Sequence, residues 1–203
     1  AGLLPVRIEG DGAARRIFVQ APRARLDPPL PGLIEEFAAA LGATPKTDPA
    51  PRLIDVGARW LIGEFADAAT VRTLRPDFAR ITALTARGSD VVGIAVFGRE
   101  HVGREHGGDA ALAVRAFCPA DGIPEDPVTG SANAAIAALL HATGALATIG
   151  YRYRASQGRE IGRDGQVDIA VDRESGTIEI GGRCVSCVVG QLHFGEPSRE
   201  PHA

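Results

Sequence analysis

The segment EDPVTGSANAAIAALLHATG, residues 125–144, decides the fold. Two acidic residues and a proline lead into Thr129-Gly130-Ser131, and from Ser131 to Leu140 every residue except Asn133 is small or apolar. A surface helix carries an apolar stripe and a polar face; a helix that is apolar all round is buried on every side. The spacing predicts a helix over residues 131–142, stopped by Gly144, with His141 in a last turn that tolerates a cation. His141 reads as structural. Strand-like segments precede and follow this helix, so the expected arrangement is a curved sheet wrapped around it.

Outward from the helix, strands are expected at residues 3–9 and 15–20, joined by Gly10-Asp11-Gly12, and on both sides of Gly57 within LIDVGARWLI (53–62). A hairpin is expected from 91–97 and 112–117. Further strands are expected near 150–156, 166–172, 176–180 and 183–194. Helices are predicted at 32–41, between Pro31 and Gly42, and at 67–74 and 77–87. LDPPLPG (26–32) reads as a linker or crossover. Many strands around few helices give an α+β fold class. The expected division is residues 1–28, 29–183 and a terminal strand region 184–203.

Composition narrows the function. The chain has 203 residues, 45% hydrophobic, and a net charge of −3, with arginines scattered rather than striped. Nothing here suggests nucleic acid or an anionic membrane as partner, and no apolar run approaches membrane-span length. No GxGxxG or Walker pattern supports a dinucleotide or P-loop enzyme. Three cysteines, Cys118, Cys184 and Cys187, argue against a disulfide framework and for a reducing, cytoplasmic setting. Cys184 and Cys187 have metal-like spacing but no matching second pair, and in a strand-like run they read as buried small hydrophobes. The 98–109 loop repeats Gly-Arg-Glu-His and reads as an exposed turn, so no metal site is assigned to His101 and His106. The chain contains no methionine and opens on AGLLPVRIEG, which reads as the middle of a strand rather than as a signal peptide. An N-terminal piece is therefore expected to precede residue 1.

The turn at 129–131 offers free backbone N–H groups and the positive end of a helix, without side-chain bulk to keep a carboxylate or phosphate away. Ordinary capping by Thr129 or Ser131 is the alternative. Glu125 and Asp126 add carboxylates beside that helix start, with Pro127 stiffening the backbone after them. Together these residues suit proton transfer next to a bound carboxylate; Asp126 as a second capping or turn residue also fits.

FCPADGIPEDPVTGSANAAIAALL, ending at Leu140, resembles the signature of the phenazine-biosynthesis PhzF-like isomerase family, within the diaminopimelate epimerase-like superfamily. SQGREIGR (156–163) resembles a second recurring segment, and LIDVGARWLI also fits. The resemblance implies two similar halves, each a sheet rolled around a central helix, with the first half incomplete here. It implies cofactor-independent proton shifting on a small carboxylate-bearing substrate in the cleft between the halves, and a homodimer. It makes Asp126 the catalytic carboxylate, and Gly130 and Ser131 holders of the substrate carboxylate; Thr129, Gln157 and Gly158 are counted with the substrate-binding residues. The family's catalytic glutamate and partner histidine lie in N-terminal segments whose patterns do not occur here, so the main acid–base residue is expected outside this chain. A half-cleft of this kind exposes apolar surface unless another chain covers it. A non-catalytic small-carboxylate binder, or an inactive fragment, is the alternative. A cysteine-pair racemase ranks third, since Cys118 lies eight residues before Asp126 in an apolar strand.

Overall fold

The computed structural model describes residues 2–88, 90–100 and 110–191. In chain order the elements are β1 (Val6–Glu9), β2 (Arg16–Gln20), β3 (Arg25–Leu26), α1 (Leu33–Leu41), β4 (Arg52–Asp55), β5 (Arg59–Glu64), α2 (Ala68–Thr73), α3 (Phe78–Thr85), β6 (Val91–Arg99), β7 (Leu112–Cys118), β8 (Ile123–Asp126), α4 (Gly130–Ala142), α5 (Leu146–Ile149), β9 (Arg152–Gln157), β10 (Gly165–Val171) and β11 (Ile178–Arg183). All eleven strands join one mixed sheet in the order β1-β2-β11-β10-β9-β7-β6-β5-β4-β3, with β8 paired to β7 off that path. The pairs β5–β6 and β7–β9 are parallel and the other pairings are antiparallel.

The centre of the sheet is β7, buried at every residue from Leu112 to Cys118. Its alternate side chains feed two cores, as strand periodicity requires. Leu112, Val114, Ala116 and Cys118 face α4, whose residues Ala132–Leu140 are all buried. Ala113 and Phe117 face the opposite layer, where Phe37 of α1, Val71 of α2 and Ile81 of α3 pack with Leu61 and Ile94. The α4 core draws on Ile54 and Trp60 near one end of the sheet and on Ile169 and Ile178 near the other, so the sheet curves round this helix. The alanines are what allow it: small side chains at Ala132, Ala134, Ala135, Ala137 and Ala138 let strands approach from several directions, at no cost in helix propensity.

Several elements depart from expectation. The helix starts at Gly130, one residue early. β3, paired with β4, ends at the first residue of the proline-rich stretch, and β2 pairs directly with β11, so β1 and β2 lie in the same sheet as the rest. Of the strand expected at 183–194, Arg183 is the last residue of β11, opposite Arg16 where β2 begins, and among the described residues the strand goes no further. Residues 184–191 carry no regular element, and Cys184 and Cys187 are exposed rather than buried. Residues 192–203 and the loop holding His101 and His106 lie outside the described residues.

The β1–β2 end of the sheet extends past α4. Registered pairs place Val6, Val19, Ile180 and Ile169 on the face that turns towards the helix. Ile180 and Ile169 are wholly or partly covered there, whereas Val6 is 59% and Ile8 60% exposed. This face therefore carries exposed apolar surface.

Candidate active site

Between that apolar face and the start of α4 lies a cavity of about 570 Å³. Its walls include Ile17 and Val19 of β2, Ile180 of β11 and Val128, and its floor includes Gly130 and Ser131. Few polar groups reach it, the usual pattern for a small-molecule site. Arg183, at the end of β11, lines the cavity and has no ion-pair partner among the described residues. Sequence reasoning passed over Arg183, which looks like any other surface arginine until β11 is seen to end at the cavity.

The helix start is uncapped. Thr129 is the N-cap residue, yet no side-chain capping bond forms. Asn133 N–H is bonded to the Thr129 carbonyl, and the N–H groups of Gly130, Ser131 and Ala132 have no acceptor among the described residues. Two of these residues, Gly130 and Ser131, line the cavity, so the positive end of a 13-residue helix sits beside it.

The Thr129 hydroxyl is used elsewhere, in a buried network with Gln157 at its centre. The Gln157 amide accepts at Oε1 from Thr129 N (3.1 Å) and Asn133 Nδ2 (3.0 Å), and donates from Nε2 to the Asp126 carbonyl and to Thr129 Oγ1, both at 2.8 Å. This uses two acceptor and two donor positions of the amide, its full capacity. Thr129 Oγ1 accepts a hydrogen bond from Gln157 Nε2 and donates its own hydrogen to Asp126 Oδ2, at 2.5 Å. The result is a one-way chain from Gln157 through Thr129 to the Asp126 carboxylate.

The sequence-chosen residues therefore fall into two groups. Gly130 and Ser131 line the cavity. Asp126, Thr129 and Gln157 form the network behind the turn and are not among the cavity's lining residues. Gln157, expected to touch substrate, is 1% exposed, does not line the cavity, and has its amide saturated by Thr129, Asn133 and Asp126. Gly158 is also structural: at φ +88° its Cα approaches Pro127 so closely that an added Cβ would lie 2.7 Å from the Pro127 carbonyl oxygen. Glu125 points the other way from Asp126. Its carboxylate makes a buried two-pronged pair with Arg115 (2.9 and 2.7 Å), and Arg115 also donates to the Leu74 carbonyl at 2.9 Å, tying β8 to the end of α2. Cys118 sits in the core, where burial first and then the charges of Asp126 and Asp121 push its thiol up to about 12. A thiol raised that far supplies almost no thiolate near neutrality, which counts against the cysteine-pair reading.

An α+β fold with a buried central helix and an anion-receptive helix start beside a small apolar cavity defines the class. Residues 1–190 match the family described as phenazine biosynthesis-like protein, PhzC-PhzF, and the chain belongs to it. A Deinococcus radiodurans protein described as an uncharacterized isomerase is 31% identical over 186 residues, covering 88% of this chain and 58% of that protein. Among solved structures, a Bacillus anthracis phenazine biosynthesis protein of the PhzF family superposes with a TM-score of 0.69 at 21% identity, over 89% of this chain and 62% of the other. A Pseudomonas aeruginosa protein described as a predicted epimerase gives 0.66 at 22% identity, over 90% and 61%. These structural likenesses establish the epimerase-like α+β fold. The chain spans only about three fifths of the length of these proteins. Among the described residues no helix is long and apolar enough to cross a membrane.

Proposed function

We propose that this chain forms part of a cofactor-independent isomerase that moves a proton on a small carboxylate-bearing substrate. The observation that carries the reading is the start of α4, which has no side-chain cap, with Ser131 and with Arg183, which makes no ion pair among the described residues, at the edge of an otherwise apolar cavity of about 570 Å³. That combination suits a ring or short chain bearing one carboxylate: the N–H groups and guanidinium meet the anion, and Ile17, Val19 and Ile180 meet the apolar body. Asp126, steadied by Thr129, is the carboxylate of this chain proposed to take part in proton transfer. By the family resemblance, the working enzyme is a cytoplasmic homodimer. The isomerase description of the Deinococcus radiodurans relative supports the reaction class.

A second reading, a carboxylate-binding protein without catalysis, is favoured by one observation: Asp126 is not among the residues lining the cavity. Proton exchange separates the two. Small cyclic carboxylates incubated with the protein in deuterium oxide are expected to take up deuterium at carbon, seen by proton NMR, and Asp126→Asn is expected to stop this while sparing binding. Binding without exchange by the unaltered protein would establish the second reading instead.

A further inference from the structure

The cavity's serine is held from behind by a tryptophan that no local motif singles out. Trp60 of β5 is 2% exposed, and its Nε1–H donates to Ser131 Oγ at 3.1 Å, across 71 positions of sequence. Packing fixes the indole: a Cβ added to Gly93 of the neighbouring strand would lie 2.9 Å from Trp60 Cζ3. An indole N–H only donates, so this bond occupies a lone pair of Ser131 and leaves the serine proton for another acceptor. Within a helix that proton ordinarily returns to the carbonyl four residues back. Thr82, Thr85 and Thr143 each do so here, to Phe78, Ile81 and Leu139. Ser131 is the second residue of α4, so Pro127 lies outside the helix and that return is not on offer; among the described residues its hydroxyl donates to no acceptor, and it lines the cavity.

We propose that Trp60 is a positioning residue for ligand recognition, holding the Ser131 hydroxyl as a donor towards a carboxylate in the cavity. The inference rests on the carboxylate-site reading above and adds how its hydroxyl is aimed. It also fixes ligand preference: a hydroxyl that arrives as a donor beside free backbone N–H groups and an arginine favours an anion over a neutral amide of the same shape. Trp60 does not touch the ligand.

The chain has a single tryptophan, so one indole cross-peak reports the contact in a ¹H–¹⁵N spectrum. Benzoate serves as the anionic probe and benzamide as its neutral counterpart. Ser131→Ala is expected to move the indole peak without any ligand. Benzoate is expected to shift that peak saturably in the unaltered protein and benzamide to shift it little. By calorimetry, Ser131→Ala should weaken benzoate binding about tenfold, as for one hydrogen bond to a charged group. Trp60→Phe should weaken benzoate severalfold in the unaltered background and leave it unchanged in the Ser131→Ala background. Equal weakening in both backgrounds would mean that Trp60 acts through packing alone, and would overturn this inference while leaving the carboxylate site standing. An indole peak that ignores Ser131→Ala would overturn it as well, even if Trp60→Phe fails to fold. If benzoate moves nothing at tens of millimolar, the carboxylate site itself fails, and the inference with it.

Discussion

Gln157 makes the sharpest demand on the reasoning, because the side-chain amide is asked to face two donors with one end and two oxygens with the other. Removing it in Gln157→Ala leaves the Thr129 N–H and one Asn133 N–H unpaired in a buried site. At about 1–3 kcal/mol for each orphaned group, partly offset by any water that enters, the loss should be about 3–5 kcal/mol. Gln157→Glu is the more telling change, since it keeps shape and both acceptor bonds. Its second oxygen replaces Nε2 and is pressed against the Asp126 carbonyl and Thr129 Oγ1, each 2.8 Å from the original nitrogen. The Thr129 hydroxyl can turn to meet it only by abandoning Asp126. A proton on the new carboxyl relieves the conflict, so its pKa should be raised in the folded state. The unfolded chain then ionises first, near pH 4.3, and the variant loses stability as pH rises from there to the folded-state pKa, at up to about 1.4 kcal/mol per unit. Urea unfolding monitored from pH 4 to pH 8 should show Gln157→Glu close to the unaltered protein at the acid end and close to Gln157→Ala at the alkaline end. A Gln157→Glu protein within about 0.5 kcal/mol of the original at pH 8 would refute the assignment of donors and acceptors, and with it the one-way chain to Asp126.

Other consequences can be checked in the same way. Replacing Glu125 by Gln leaves Arg115 buried with only carbonyls and a neutral amide, and should cost about 3–5 kcal/mol in urea unfolding, whereas Arg115→Met with Glu125→Leu together should cost much less; a mild single-variant effect would show the pair to be solvated. Gly158→Ala forces a side chain into a φ of +88° and against the Pro127 carbonyl, and a loss of about 2–4 kcal/mol is expected from the two strains combined; thermal unfolding unchanged within error would contradict this packing. With a thiol reagent at pH 8, Cys184 and Cys187 should react at once and Cys118, buried and with its thiol pushed up to about 12, only after denaturant is added. Three fast thiols in the native protein would place Cys118 at the surface.

What the sequence disclosed and what it hid follow from how far each signal reaches along the chain. The burial of α4 was legible because all-round apolar character is local and has one physical meaning. The hairpin of β4 and β5 and the capped α2 and α3 were legible for the same reason. IPED, residues 123–126, was not legible as a strand: a proline and two acids argue against one, and it pairs only because Ala116 and Cys118 of β7 offer an edge. CVSCVVGQ, residues 184–191, misled in the opposite sense. Its alternation of apolar residues suits a strand, but a strand needs a partner, and β2 runs out at Arg16. At the site, Gly130 and Ser131 could be chosen from their place at the start of a buried helix. Their supports could not, since Trp60 lies 71 positions from Ser131 and Gln157 lies 28 from Thr129.

The two supports share a logic that explains why the start of α4 is left without a side-chain cap. Thr129 and Ser131 are the residue types that ordinarily satisfy the first N–H groups of a helix. Here both hydroxyls are drawn away by donors that cannot accept in return: Gln157 Nε2 drives the Thr129 proton to Asp126, and Trp60 Nε1 occupies Ser131 Oγ. Forgoing a cap costs about 0.5–2 kcal/mol of helix stability. The burial of nine consecutive residues of α4 easily absorbs that loss, at about 0.8 kcal/mol per buried methylene. A helix held by its core rather than by its cap can keep free N–H groups facing an apolar cavity, and free N–H groups are what an incoming carboxylate requires. The all-apolar stretch and the polar turn before it are thus parts of one arrangement, in which the first supplies the stability that lets the second stay open.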